Sequence, residues 1–407
     1  MRLVAGAMMA WLATSAFISA LISEPGPAWA EERWVGTWAT SQQIPEDRNA
    51  LAPHDLDDAT LRQSVHLSFA AAPLRVRLSN AFGTAPLHIA AAHIARARTA
   101  GSDAIDPASD TALRFSGAPD VVIPAGAEYV SDPVSMTATD IAISLHFESA
   151  PAQQTSHPGS RTTSYLLAGD HVAAASLPGA KTFDHWFNIA GIDVMGGDGA
   201  VSVIGDSITD GRGSTTNGND RWTDDLARRL AGSGRKIGVL NHGIGGGHVL
   251  LDGLGPNAVS RFDRDVLAQP GVRWMILFEA INDIGTFDPE GTKSKAAHDQ
   301  LVRELTTAYS QMIEKAHAAG IKAYGATITP FMDCGPYHPK PISEADRVAV
   351  NSWIRGHFDA VLDFDRTARD PARPDHLNPA YDSGDGLHLS PAGYQALAAA
   401  IPLSLFK

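Results

Sequence analysis

Gly196-Gly197-Asp198-Gly199-Ala200-Val201-Ser202-Val203-Ile204-Gly205-Asp206-Ser207-Ile208-Thr209-Asp210-Gly211 is the stretch on which the chain changes character. Its first glycines read as a junction. Residues 200–204 read as a short buried strand, and Gly205 opens a turn into a helix. Upstream, residues 34–194 show period two: Val65, Leu67 and Phe69 alternate with His66 and Ser68. Ile141, Ile143, Leu145 and Phe147 alternate with Ala142, Ser144 and His146. That spacing predicts antiparallel strands with one face buried and one wet, forming an all-β, sandwich-like domain over residues 31–195.

Downstream the period changes. Apolar runs at 200–204, 237–240, 272–278, 321–328 and 360–364 read as five strands. Between them lie amphipathic stretches at 221–230 and 296–319, the second with Leu301, Leu305, Tyr309, Met312 and Ala316 on one face. Ser343 is expected to cap a helix reaching residue 358, and Ser390-Pro391 to open the last helix. Alternating strands and helices predict an α/β domain over residues 196–407, with a parallel sheet covered on both faces.

Composition narrows the function. The chain has 407 residues, 44% apolar and 19% charged, in the range of a globular protein with room for two domains. A formal charge of −13 repels phosphate backbones and anionic lipid, so no nucleic-acid partner is expected. The single cysteine, Cys334, can form no internal disulfide and no cysteine-based zinc site. Arg2, the apolar residues 3–22 and Ala28-Trp29-Ala30 read as a signal peptide over residues 1–30, cleaved before Glu31. The rival reading is an uncleaved anchor, since about 20 apolar residues span a bilayer. Cleavage predicts an exported protein, periplasmic or extracellular, with no stable membrane association.

In doubly wound sheets the chemistry sits at the carboxyl ends of the strands. Three such ends, and the stretch just before the last helix, carry reactive groups. Gly205-Asp206-Ser207 puts a serine at a helix N-terminus, where partial positive charge favours an alkoxide. Alone it reads more readily as a turn with a helix N-cap. Asn241-His242-Gly243-Ile244-Gly245-Gly246-Gly247-His248 can turn backbone N–H groups into a cleft, or be a plain loop; a metal reading of its two histidines lacks a third ligand. Glu279-Ala280-Ile281-Asn282-Asp283 offers a side-chain amide to an oxyanion. Asp385-Gly386-Leu387-His388 places a carboxylate where it can accept from Nδ1 of the imidazole and leave Nε2 as base. Together the four supply a nucleophile, a base, its orienter and oxyanion donors.

These blocks, in this order, resemble the SGNH (GDSL) hydrolase superfamily of esterases over about residues 200–400. The resemblance implies a flavodoxin-like sheet of five parallel strands, with Ser207 as nucleophile, His388 as base and Asp385 as its orienter. It implies an oxyanion hole from the N–H groups of Ser207 and Gly246 and the amide of Asn282. Ala280 departs from it, standing where the family usually has glycine, so a narrowed cleft or shifted loop is expected. Asp210-Gly211-Arg212-Gly213-Ser214, Asn219-Asp220-Arg221-Trp222 and Arg77-Leu78-Ser79-Asn80-Ala81-Phe82-Gly83 resemble a secreted bacterial arylesterase or acylhydrolase branch with an N-terminal β-domain. Such an enzyme needs no cofactor or metal. Its expected partner is a small-molecule or polysaccharide ester, with acetyl groups on carbohydrate first. A lipase or arylesterase on small or lipid esters is the alternative, as is a carbohydrate-binding protein using Trp34, Trp38 and Trp186 as stacking faces. The sequence sets no oligomeric state.

Overall fold

The apolar run at 200–204 becomes the second strand of a parallel sheet in a computed structural model that describes residues 33–407. The expected signal peptide, residues 1–30, lies outside the described residues. We label the parallel strands β1 (Gly199–Gly205), β2 (Ile237–Gly243), β3 (Val272–Phe278), β4 (Lys322–Ala326) and β5 (Ala360–Leu362). Their order is β2-β1-β3-β4-β5, the flavodoxin-like order. Every residue of β1 is buried, as expected of a strand covered on both faces.

The helices that matter for the site and its frame include α1 (Ser207–Asp210), α2 (Trp222–Gly232), α3 (Ile281–Gly285), α4 (Lys295–Ala318), α5 (Pro341–His357) and α6 (Pro391–Ala400). The five residues expected on the inner face of α4 are all buried. Ser390 caps α6 as expected. Ser343 does not cap α5: the helix starts at Pro341, and the Ser343 hydroxyl accepts from the Lys340 N–H at 3.2 Å. Proline moves the start upstream because its missing N–H is not needed in the first turn. Among the described residues no helix is long and apolar enough to cross a membrane.

The N-terminal half is built from antiparallel sheets. Trp34–Ala39 pairs with Ile189–Met195, which pairs with Leu74–Ser79. A second, six-stranded sheet centres on Ala59–His66 and Asp140–Phe147. The wet outer face expected from period two is not found in the two central strands. From Ala59 to Val65 every residue is buried, Arg62 among them. The Arg62 guanidinium donates to Ser144 Oγ at 2.8 Å and to the carbonyls of Asp103 and Ala174 at 2.7 and 2.8 Å. Loop backbone covers this face, and a polar side chain satisfied by carbonyls looks in sequence like one facing water.

Residues 33–407 form one compact unit. Trp34–Ala39 runs beside β2: Gly36 N–H donates to Pro270 O at 2.9 Å, and Val239 N–H donates to Ser68 Oγ at 2.9 Å. Apolar residues of the antiparallel sheets and of the parallel sheet share one buried cluster.

Candidate active site

The chain leaves β1 for β2 on one side and later crosses to β3 on the other, so the ends of β1 and β3 flank the switch point of the sheet. α1 begins there. Asp206 caps it by accepting from Ile208 N–H at 2.8 Å. The helix lies close on the strand ends because two glycines permit it. A Cβ on Gly205 would stand 2.2 Å from Thr209 Oγ1, and one on Gly243 would stand 2.3 Å from the Asp210 nitrogen.

The structure brings three of the expected residues into one relay. Ser207 Oγ lies 2.7 Å from His388 Nε2, and His388 Nδ1 lies 2.7 Å from Asp385 Oδ2. Asp385 Oδ1 accepts from the Leu387 and His388 N–H groups at 3.1 and 2.8 Å, which fixes its carboxylate plane. Burial raises the Asp385 carboxyl, but the imidazole and these two N–H groups outweigh it and hold the acid below the usual carboxylate range. Ser207 and His388 are each 6% exposed.

The expected oxyanion donors converge on the same loops. Gly246 has φ +68° in the turn after β2, and neither its N–H nor that of Ser207 has a backbone acceptor among the described residues. Asn282, in the first turn of α3, donates from Nδ2 to Gly247 O at 2.6 Å. That leaves the second Nδ2–H free. Ala280 has φ +95°, in the left-handed region where an L-residue carries about 1–2 kcal/mol of strain. Its side chain is wholly buried, so the methyl strains the backbone and does not narrow the cleft.

Two residues enter the site that sequence reasoning did not place. The Tyr337 hydroxyl donates to Asn282 Oδ1, so the amide is oriented with its NH₂ toward Gly247. Tyr337 lies in a short turn, Gly335–Tyr337, with no motif to announce it. Tyr337→Phe should lower kcat roughly 5-fold with KM little changed, since one neutral hydrogen bond is worth about 1 kcal/mol. An unchanged kcat would show that the amide holds itself. Asn241, which in sequence only opens the second block, braces α1 by donating to Thr209 O at 2.7 Å.

Behind α1 and α3 lies a buried acidic group. Burial pushes Asp206 up to about 7, and the Asp283 and Asp210 carboxylates add to this against the pull of Ile208 N–H and Arg261. Burial also drives Glu279 well above its ordinary value, although Arg261 Nη2 lies 3.2 Å from its carboxylate. Asp206 therefore binds a proton on folding wherever the unfolded side chain, near about 3.9, has lost it. The contribution of Asp206 to stability falls as pH rises from about 4 to about 7. Asp206→Asn keeps the cap and removes this dependence. Its stability relative to the native protein should rise across that window and level off above it. Denaturant midpoints taken at both ends check this; a constant difference would refute it.

The remaining candidates fall elsewhere. His242 is buried and pushed down to about 3 by desolvation, so it is a neutral core residue. His248 Nε2 lies 3.3 Å from Thr286 Oγ1. Burial raises the Cys334 thiol, which disfavours a thiolate nucleophile. Trp38 and Trp186 are buried edge to face at 5.0 Å, and Trp34 carries the Arg75 guanidinium over its ring at 4.3 Å. None of the three presents an open face for a sugar.

With this geometry in hand, residues 203–396 match the model of the GDSL-like Lipase/Acylhydrolase family. The protein is an ester hydrolase, similar to that family over these residues. A search of curated proteins found no match. Solved structures similar to the hydrolase half include a putative lipolytic protein of the G-D-S-L family from Desulfitobacterium hafniense DCB-2, at 23% identity and TM-score 0.37, covering 49% of this chain and 96% of that one. The lipase/acylhydrolase from Enterococcus faecalis is 19% identical at TM-score 0.38, covering 51% and 95%. An acetyl xylan esterase from Geobacillus stearothermophilus is 20% identical at TM-score 0.38, covering 52% and 95%.

Proposed function

We propose that this ester hydrolase is an exported serine esterase that removes short acyl groups, acetyl first, from carbohydrate esters. The observation that carries the mechanism is the unbroken relay from Ser207 Oγ through His388 to Asp385, with both links at 2.7 Å. His388 Nε2 takes the hydroxyl proton as Ser207 Oγ attacks the ester carbonyl. Asp385 keeps the proton of Nδ1 in place, so Nε2 is the basic nitrogen. The N–H groups of Ser207 and Gly246 and the free Nδ2–H of Asn282 receive the oxyanion. The imidazolium then protonates the departing alcohol. Water, deprotonated by the same imidazole, hydrolyses the acyl-enzyme and returns the proton to Ser207. No step needs a metal or an organic cofactor. Export rests on the leader-like residues 1–30.

Asn282→Ala should lower kcat by about 10²–10³-fold and change KM far less, because its donor acts on charge that develops in the transition state. Weakened binding at unchanged kcat would make Asn282 a ground-state contact instead.

A second reading, esters of longer acyl chains, has one observation in its favour. Leu251 and Leu254 are 65% and 44% exposed in the loop after Gly246. Leu254 reaches within 3.0 Å of where a Cβ on Gly246 would stand. A series of p-nitrophenyl esters from acetyl to octanoyl, together with acetylated polysaccharides, separates the two. Highest kcat/KM on acetyl with release of acetate from polymer supports the carbohydrate reading; a maximum at octanoyl supports the other.

A further inference from the structure

The nucleophile stands on a helix too short to hold itself. α1 has four residues and closes with Asp210 N–H to Asp206 O and Gly211 N–H to Ser207 O, both at 2.9 Å. Isolated helices of this length are not stable, so the place of Ser207 is set by what grips α1 from outside.

One grip comes from the antiparallel half. His157, in the strand Ser156–Pro158, is 3% exposed and stacks on Trp186 with ring centroids 5.7 Å apart. Its Nδ1 lies 2.8 Å from Ser41 O, and its Nε2 lies 2.9 Å from Asp210 Oδ1. Asp210 is the last residue of α1 and is 4% exposed. Three residues beyond His157, Ser160 O accepts from Arg221 Nη2, and Arg221 Nε donates to Asp210 O at 2.9 Å. One segment of the antiparallel half thus holds both the carboxylate and the carbonyl at the end of α1. The proposed relay uses neither His157 nor Asp210.

We propose that His157 is a positioning residue for the esterase reaction. Through Asp210 it fixes α1 so that Ser207 Oγ stays within hydrogen-bonding reach of His388. The inference rests on the relay proposed above. It gives the antiparallel half a part in placing the nucleophile without contact to the reacting atoms. Displacement of a reacting group by about 1 Å can cost about 10²-fold in rate, which sets the scale of the effect.

The test uses the full-length protein with a fluorophosphonate probe and p-nitrophenyl acetate. His157→Ala should lower the rate of Ser207 labelling and kcat together, by about 10–100-fold, with KM nearly unchanged. A cavity of about 200 Å³ is already lined by His157, Asp210 and Trp186, so added imidazole can enter and take up the same hydrogen bonds. Imidazole should therefore restore much of the lost rate to His157→Ala. Asp210→Asn, which keeps a hydrogen-bonding partner for the ring, should stay closer to native than Asp210→Ala. A folded His157→Ala that labels at the native rate overturns the inference, as does a defect confined to KM. If His157→Ala does not fold, the Asp210 pair decides: equal labelling rates in the two variants overturn it. A native protein that the probe does not label at Ser207 fails the esterase reading itself, and is thereby told apart from failure of the strut.

Discussion

Ser207→Ala should fold as the native protein does and lose at least about 10⁴-fold in esterase kcat, together with all labelling by a fluorophosphonate probe. The covalent step has no substitute in this site: the one cysteine, Cys334, is a buried thiol held protonated. Folding should be spared because the Ser207 side chain makes its hydrogen bond to His388 alone and fills little core volume. Residual turnover of more than a few per cent in a pure, folded sample would remove Ser207 from the mechanism. Mass spectrometry of the labelled native protein locates the modified residue directly.

The largest expected effect on stability is at Arg261. Its side chain is 1% exposed and paired with Asp265 at 3.0 Å and with Glu279 at 3.2 Å. It also donates to Gly205 O at 3.1 Å, to His242 O and to Ser41 Oγ at 3.2 Å. One guanidinium thus ties the ends of β1 and β2, the loop after β3 and the antiparallel half. Arg261→Leu leaves two buried carboxylates short of a partner, and removing one member of a buried pair costs about 3–5 kcal/mol. Glu279 can relieve part of this by taking a proton, since burial already raises it. The loss measured by denaturant unfolding should therefore shrink as pH falls. A loss below about 1 kcal/mol would show that the cluster is better solvated than its burial implies.

Much of this was legible in the residues themselves. β3 falls at 272–278 as read, and α4 at Lys295–Ala318 lies within a residue of expectation. α4 is long and strongly periodic, and β3 is a compact apolar run of strand length, with nothing competing for their apolar faces. The start of α5 was misread because Ser343 offers a capping hydroxyl, while Pro341 in the first turn decides the boundary. The outer face of the antiparallel sheet departs from expectation because Arg62 and Ser64 look solvated in sequence, whereas in the fold they are buried and donate to the carbonyls of Asp103 and Ser102.

The same division runs through the site. Ser207, His388, Asp385 and Asn282 announce themselves because each sits in a short block, at a strand end for Ser207 and Asn282 and just before the last helix for Asp385 and His388, where local spacing alone constrains the chemistry. Asp385 and His388 reach each other from three residues apart. Tyr337 and His157 carry no such signal. Tyr337 meets Asn282 across 55 positions, and His157 meets Asp210 across 53. The sequence by itself determined which groups could do the chemistry and in which layer of the fold they lie. Only the tertiary structure decided which way the Asn282 amide faces and what holds the nucleophile helix, because those depend on contacts between segments whose separation along the chain places no constraint on their distance in space.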